Sequence, residues 1–155
     1  MLGQLFTRLG ILVFIVAVSF APVITYTAAP DWEVLIVDEQ GLPLENMTVR
    51  LNYQNYSAEP EGHELEATTD ARGQVHFPKQ TTRTSIGSYI LNTAWSATAG
   101  VHASFGRHAY VFTFGRGRDG SATTGDYITD WTGSPDEMKS RIVAEPRALS
   151  TEPRP

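Results

Sequence analysis

The chain of 155 residues has a formal net charge of −5 at pH 7, with 41% hydrophobic residues, 19% charged residues and no cysteine. This length and composition are typical of one globular domain with a proper core, and they exclude a disordered chain. The acidic balance gives no electrostatic reason to expect nucleic acid or anionic lipid as a partner. Without cysteine, the protein has no disulfide, no thiolate metal site and no cysteine nucleophile.

The N-terminal region is apolar. Residues 9–30 contain no charged side chain, and residues 9–18 lack the polar face that a core helix carries. This pattern predicts a hydrophobic helix within residues 1–30 that acts as a signal peptide or a membrane anchor. An uncleaved anchor is favoured, with Arg8 on the cytoplasmic side and the following domain outside the cytoplasm. Cleavage of the leader would instead give a secreted or periplasmic protein.

The body of the chain is predicted to form short strands separated by turns. Residues 32–38 (WEVLIVD) are apolar and β-branched on both faces, as in a central strand, whereas residues 47–53 (MTVRLNY) alternate between apolar and polar. Four further segments supply strands, namely 64–70, 74–78, 127–131 and 138–145. Short strands at regular spacing predict a mainly β fold, a β-sandwich over residues 31–145.

Three other segments differ from this pattern. Residues 84–100 fit either a strand or a helix, but Thr84 or Ser85 as N-cap and Gly100 past the end favour a short helix near 85–99. Residues 115–125 form a glycine-rich loop, and the proline-rich residues 146–155 are predicted to be a flexible tail.

Two turn motifs carry a family resemblance. VDEQGLPLENMTVRL and TTDARGQVHFP resemble the carboxypeptidase regulatory-like domain, a transthyretin-like (prealbumin-like) Ig-type β-sandwich, over about residues 33–78. The matching positions are Asp38, Gly41, Pro43, Leu44, Thr69, Asp70, Gly73, Val75 and Phe77. The two glycines allow turn conformations that a Cβ disfavours, and an aspartate can accept hydrogen bonds from amides of its own turn. The resemblance implies a non-catalytic module, usually outside the cytoplasm.

The segment VHASFGRHAYVFTF (101–114) contains two of the four histidines. Gly106 is suitably placed for a type II′ hairpin turn that joins Phe105 to His108. Such a hairpin puts His102 and His108 on opposite faces, so the pair cannot bind one metal ion. We therefore expect a buried structural role for His108, at one end of the sandwich, and a surface position for His102. The nearly apolar face of the hairpin would carry Val101, Ala103, Phe105, His108, Tyr110, Phe112 and Phe114.

The other two histidines suggest a zinc site only superficially. HELE, from His63 to Glu66, matches the His-x-x-Glu zinc pair of metallocarboxypeptidases, and His76 is the remaining candidate ligand. Residues three apart on a strand point to opposite faces, so we predict no metal and no cofactor here. Hydrolysis of 5-hydroxyisourate, an activity of transthyretin-like enzymes, is disfavoured because their Tyr-Arg-Gly-Ser ending is absent from this chain, which ends in TEPRP.

Two binding features stay open. The acids Glu59, Glu61, Glu64, Glu66 and Asp70 suit a solvated surface better than a weak calcium site, because the regular ligand run is missing. An aromatic surface for a sugar or a peptide would be formed by Trp95, Tyr127 and Trp131.

The leading hypothesis is a non-catalytic, exported or membrane-anchored β-sandwich module with a structural or binding role at the cell envelope. Its expected partners are the membrane, through the N-terminal segment, and an envelope protein or polysaccharide; the loops at 54–63 and 115–133 are the first places to look. The alternative hypothesis is a small hydrolase or metal-dependent enzyme that uses His63, His76, His102 or His108.

Overall fold

The computed structural model describes residues 2–120 and 130–147. In chain order, the elements are α1 Leu2–Ser19, β1 Pro22–Ala29, β2 Asp31–Val37, β3 Thr48–Asn55, β4 His63–Thr68, β5 Gln74–Phe77, β6 Gln80–Ser85, α2 Ile86–Ala97, a 3₁₀ helix Gly100–His102, β7 Arg107–Gly115, β8 Arg118–Gly120, β9 Asp130–Trp131, β10 Glu137–Val143 and β11 Glu145–Pro146. The prediction of a mainly β, sandwich-like body is confirmed.

Two sheets enclose the core. The smaller sheet has the order β10-β2-β5, and the larger has the order β11-β8-β7-β3-β4, with β9 also paired to β7. Because side chains alternate along each strand, every second residue of β2 and β3 points into the space between the sheets. The buried cluster includes Trp32, Val34, Ile36, Val49, Leu51, Val111, Trp131, Met138 and Ile142. Strands β2 and β10 pair in parallel, and the other pairings within these sheets are antiparallel.

The N-terminal region differs from the predicted single hydrophobic segment. The helix α1 ends at Ser19, and residues 22–29 form β1, which pairs antiparallel with β6. Ala28 and Ala29 are fully buried, so this stretch belongs to the folded body and the boundary placed at residue 30 was too late. In the part of the chain that the structure describes, no helix has both the length and the apolar character needed to span a membrane.

A short helix follows β6, in the region predicted near 85–99. Ser85 is its N-cap, because the Ser85 Oγ accepts a hydrogen bond from the Ser88 backbone N–H at 2.9 Å. Gly100 has a φ of +59° and begins the 3₁₀ helix that follows.

The hairpin predicted at 101–114 is wrong. Residues 100–102 are helical, and β7 begins only at Arg107, where it pairs with β3 over eight positions. Gly106 has a φ of +74°, but it lies at the end of the connection between the 3₁₀ helix and β7 and does not join two paired strands. Residues Ala109, Val111 and Thr113 face the core, so the aromatic side of β7 faces outward. Pairing with β3 determined this orientation, because alternation alone does not distinguish the inner face from the outer one.

The two turn motifs are tightly organised. Asp38 Oδ1 accepts hydrogen bonds from the backbone N–H groups of Gln40 and Leu42, at 3.0 and 2.8 Å. Asp70 Oδ1 accepts from Gln74 and Arg72, each at 2.9 Å, and these backbone bonds lower the pKa of the Asp70 carboxyl.

Both motif glycines adopt positive φ, +83° at Gly41 and +71° at Gly73. Pro43 forms an isolated bridge with Val37, next to the first turn. The backbone geometry of the two turns therefore explains why Asp, Gly and Pro occupy the motif positions.

The C-terminal segments also differ in part from expectation. The glycine-rich loop contains the short strand β8 at 118–120, whereas 121–125 lie outside the described residues. Of the segment 127–131, only Asp130 and Trp131 are described, and they form β9. The predicted flexible tail begins in β11, and Arg147 binds Asp119 through two hydrogen bonds of 2.6 Å; residues 148–155 lie outside the described part.

Candidate functional site

The four histidines lie in different parts of the fold. His76 is exposed on the outer face of the smaller sheet, with its Nε2 2.9 Å from Asp31 Oδ1. His102 is exposed in the 3₁₀ helix. His63, at the start of β4, and His108, near the start of β7, line one cavity of about 280 Å³. Within residues 2–120 and 130–147, no three His, Asp or Glu side chains form a group that could hold a metal ion.

The strand register separates His63 from His108, although both line this cavity. His63 lies opposite Tyr53 of β3, and His108 lies opposite the next residue, Gln54. Strand β3 therefore lies between the two histidines, with their backbones about 10 Å apart. Because consecutive residues of β3 point to opposite faces, the two side chains project from opposite faces of the sheet. His108 is half-buried on the outer face of the larger sheet, which differs from the buried position that we predicted.

A nearly buried carboxylate lies beside His63. The Glu59 side chain is only 11% exposed, and it accepts a hydrogen bond from the Tyr26 hydroxyl through one oxygen while the other oxygen contacts His63 Nε2. The Tyr53 ring stacks on the His63 ring with a centroid distance of 5.1 Å. The carboxylate and the Tyr53 ring therefore hold the imidazole in one orientation, as a carboxylate partner does in acid–base sites.

The pKa values of the two tyrosines reflect this environment. Burial, followed by the hydrogen bond to Glu59 and its negative charge, raises the pKa of Tyr26 well above its ordinary value. Burial, and then the charge of Glu59, also raises the pKa of Tyr53. Both phenols therefore stay neutral at physiological pH, and the Tyr26 hydroxyl donates to Glu59.

An aromatic row lies beside the cavity on the outer face of β7. Consecutive ring centroids from His108 to Tyr110, Phe112 and Phe114 are 5.8, 6.0 and 5.9 Å apart. The Arg50 guanidinium lies over the last two rings, 5.8 and 5.3 Å from their centroids. The row therefore presents ring faces and edges with a cation beside them.

Asn52 joins the cavity to the aromatic row. Its Nδ2 donates to the Tyr110 hydroxyl at 2.8 Å, while its Oδ1 is buried and has no hydrogen-bond partner among the described residues. Buried acceptors without partners are uncommon in native proteins. Because Asn52 also lines the cavity, a bound N–H or O–H group is a suitable partner for this oxygen.

A larger cavity, of about 600 Å³, lies over the smaller sheet. Its lining includes Glu33, Asp70, Arg72, His76, Lys139 and Arg141. The charges largely pair within the protein: Lys139 Nζ is 2.7 Å from Glu33 Oε2, which raises the pKa of that lysine, and Asp70 is used by its own turn. This open, internally neutralised face is therefore the weaker candidate for a binding site.

The acidic residues do not converge on a calcium site. Glu59 faces Tyr26 and His63, whereas Glu64 and Glu66 both contact Arg50, at 3.4 and 2.5 Å. The zinc-like pair of the sequence is also separated, because His63 contacts Glu59 and Glu66 contacts Arg50.

The predicted aromatic surface is not assembled either. Trp131 is 1% exposed and donates its Nε1–H to the Pro135 carbonyl at 2.6 Å, whereas Trp95 is 79% exposed on α2. Tyr127 lies outside the described residues. The aromatic row on β7 takes the place of this surface as the exposed aromatic feature.

Tyr26 was not predicted as a partner of Glu59, because residue 26 was assigned to the leader. One signal for its strand position is the alternation of apolar and hydroxyl side chains in ITYT, residues 24–27.

Comparison with known proteins gives little guidance. No known family profile matches the chain, and no curated protein is significantly similar to it. Among solved structures, 3-chlorocatechol 1,2-dioxygenase from Rhodococcus opacus 1CP is similar at a TM-score of 0.44 and 17% identity, covering 77% of this chain and 61% of that one. A mutant of catechol 1,2-dioxygenase from Acinetobacter radioresistens gives a TM-score of 0.43 and 12% identity, covering 83% of this chain and 56% of that one. This chain thus spans about three fifths of the length of these proteins, and similarity at this level assigns it neither a family nor an activity.

Proposed function

We propose that this protein is a non-catalytic, exported or membrane-anchored β-sandwich module that has a structural or binding role at the cell envelope. The observation that carries the proposal is the exposed, largely apolar helix α1, which has no charged side chain after Arg8 and leads directly into the sandwich. The domain would lie outside the cytoplasm, on the cell membrane, or be secreted or periplasmic if the leader is cleaved.

The exposure of α1 supports membrane targeting. Leu9, Leu12 and Phe14 point in different directions around the helix and are 55%, 58% and 69% exposed. Leaving such surface in water costs roughly 25 cal/mol for each Å². A lipid or translocation environment removes this cost, because apolar side chains are favourable there.

The turn geometry supports the resemblance to the carboxypeptidase regulatory-like domain. At Gly73, a Cβ would lie 2.5 Å from the Ile36 carbonyl oxygen, and the motif residue Asp70 closes the same turn. The motif residues therefore fix the geometry of their turns. This role is typical of a module whose shared residues maintain the fold and take no part in catalysis.

The cavity and the aromatic row support a binding role. Ring faces next to hydrogen-bonding groups such as Asn52 and Gln54 suit a ligand that carries both apolar faces and hydroxyl or amide groups. A polysaccharide or an extended segment of an envelope protein has this chemistry.

Membrane fractionation of the full chain tests the proposal. Wild-type protein should sediment with membranes, whereas Val13→Arg should not, because a charged side chain in the apolar part of α1 opposes its insertion into lipid. Val13→Leu is the matched control and should behave as wild type. A mature chain that begins near Phe20 by mass would identify the secreted form and would retain β1, whereas intact wild-type protein in the cytosol would refute the proposal.

The second candidate function is a small hydrolase or metal-dependent enzyme. It is favoured by one observation: His63, whose Nε2 contacts Glu59, lines a cavity that His108 also lines. Equilibrium dialysis against zinc distinguishes the two functions. One tightly held equivalent that is lost in His63→Ala would favour the enzyme, and no retained zinc would favour the binding module.

A further inference from the structure

The helix α2 has its polar and apolar faces reversed relative to a surface helix of a soluble protein. Its polar side chains Ser88, Asn92, Thr93 and Ser96 are half-buried against the body, while its large apolar side chains face outward. The exposed fractions are 51% for Ile86, 41% for Tyr89, 61% for Ile90, 58% for Leu91 and 79% for Trp95. In water, an amphipathic helix turns its apolar face towards the core.

Specific contacts fix this orientation. Ser96 Oγ donates to the Tyr56 carbonyl oxygen at 3.2 Å, and Ser85 caps the first turn through Ser88. The Thr93 Oγ1 is buried without a hydrogen-bond partner among the residues described, which is a cost of placing the polar face inward. Burial of the opposite face in an apolar environment would offset that cost.

The outward face of α2 continues onto the end of α1. A Cβ at Gly87 would lie 3.1 Å from the Phe20 ring and 3.0 Å from the Ser19 carbonyl oxygen, so the first turn of α2 packs directly on the last residue of α1 and the residue after it. We define the α2 surface as Phe20, Ile86, Tyr89, Ile90, Leu91 and Trp95. Val101, which is 97% exposed, extends it along the chain.

The two segments that form this surface lack charged side chains. Residues 84–106 contain no Asp, Glu, Lys or Arg, and neither do residues 9–30. The first charged side chains on either side of the longer α2 segment are Arg83 and Arg107. Two separate uncharged segments of the chain therefore meet in space, where α1 ends and α2 begins.

We propose that the α2 surface lies within the interfacial region of a lipid bilayer, so that the sandwich rests on the membrane to which α1 attaches it. This inference rests on the proposed membrane attachment and specifies a second, in-plane contact. Trp and Tyr side chains are typical of the membrane–water interface, as is an apolar face that lies parallel to it. Protein interfaces typically have a polar rim, whereas this surface is bordered on one side by the apolar helix α1.

The net charge of −5 adds a specific expectation. Because the α2 surface is uncharged, its insertion is apolar, and it should occur on neutral phosphatidylcholine with little dependence on salt. Anionic lipid should not strengthen the contact.

Fluorescent labelling tests the inference, since the absence of cysteine allows single labels. The full chain is reconstituted in phosphatidylcholine vesicles with an environment-sensitive dye at Ile90→Cys or Val101→Cys. Phe14→Cys reports on α1, and Arg72→Cys, on a side chain 80% exposed in a turn of the smaller sheet, is the aqueous control. We expect blue-shifted emission at residues 90 and 101, and quenching by spin-labelled lipid several-fold greater than at residue 72.

The other possible labelling results would contradict the proposed α2 contact. Labels at 90 and 101 that resemble the control, with the label at 14 quenched, would refute the α2 contact and leave the proposed membrane attachment intact. No quenching at any of the labels would refute both. A blue shift at 90 and 101 that depends on protein density in the vesicle, without lipid quenching, would identify a second copy of the chain as the occupant and would also overturn the inference.

Discussion

The Tyr26 hydroxyl donates a hydrogen bond to the carboxylate of Glu59, 33 positions later in the chain. This contact connects β1 to the loop between β3 and β4. In the same loop, the Tyr56 carbonyl accepts a hydrogen bond from Ser96 of α2. The Ala58 carbonyl accepts another from the Thr84 hydroxyl. The loop therefore links the segment that follows α1 to both the helix α2 and the candidate binding cavity.

Removal of the Tyr26 hydroxyl should destabilise the domain. Tyr26→Phe leaves a carboxylate that is 11% exposed with one fewer donor, and the expected loss in the free energy of unfolding is about 1–3 kcal/mol. Urea unfolding of purified protein measures it. Tyr89→Phe, at a residue that is 41% exposed, is the matched control and should change stability by less than about 0.5 kcal/mol. Equal stability of the two variants would contradict the assigned role of the Tyr26–Glu59 contact.

The same tyrosine should make stability depend on pH in the alkaline range. Because burial and Glu59 raise the pKa of Tyr26 in the folded state, the neutral phenol stabilises the fold below the unfolded-state pKa of about 10. This contribution is lost as the pH rises above about 10 towards the folded-state pKa. Unfolding free energies measured from neutral to alkaline pH should fall less steeply in Tyr26→Phe than in wild type. Parallel slopes would show that the phenol titrates normally.

Two glycines with positive φ offer a matched test of the turn motif. Gly73→Ala combines a φ of +71° with a Cβ 2.5 Å from the Ile36 carbonyl oxygen, whereas Gly100→Ala has a φ of +59° and open space around the new methyl group. The second change should cost about 1–2 kcal/mol, the penalty for a left-handed residue. Gly73→Ala should cost clearly more, because the backbone at Ile36 must also move to make room for the methyl group. Thermal unfolding compares the two, and a smaller loss at Gly73 would show that the turn adjusts freely.

The aromatic row should contribute to ligand binding. Tyr110→Ala removes the most central exposed ring and the partner of Asn52 Nδ2, so binding to an envelope polysaccharide should weaken at least about fivefold, which corresponds to roughly 1 kcal/mol. Binding to isolated cell-wall material, measured by co-sedimentation, provides the test. The control is Tyr89→Ala, a tyrosine on the α2 surface away from this cavity. Equal binding by both variants would show that the aromatic row does not contribute to ligand binding.

Local patterns in the sequence were sufficient for features that depend on near neighbours. The alternation of residues 47–53 predicted β3, Ser85 marked the start of α2, and the Asp and Gly positions of the two motifs correspond to turns closed within five residues. In each case, the interacting groups are close in sequence, so backbone propensity and side-chain type determine the outcome.

Tertiary structure decided the rest. Residues 22–29 are apolar enough to extend a leader, but β6, more than fifty residues later, makes them a strand. The period-2 pattern of β7 is equally satisfied with either face inward, and only pairing with β3 directs Ala109 and Val111 to the core and Tyr110 to the surface. Contacts between distant segments also separated the histidines, joined Tyr26 to Glu59 and turned the polar face of α2 inward. Periodicity specifies how side chains alternate, whereas the partner and the inward face depend on contacts between residues that are distant in the chain.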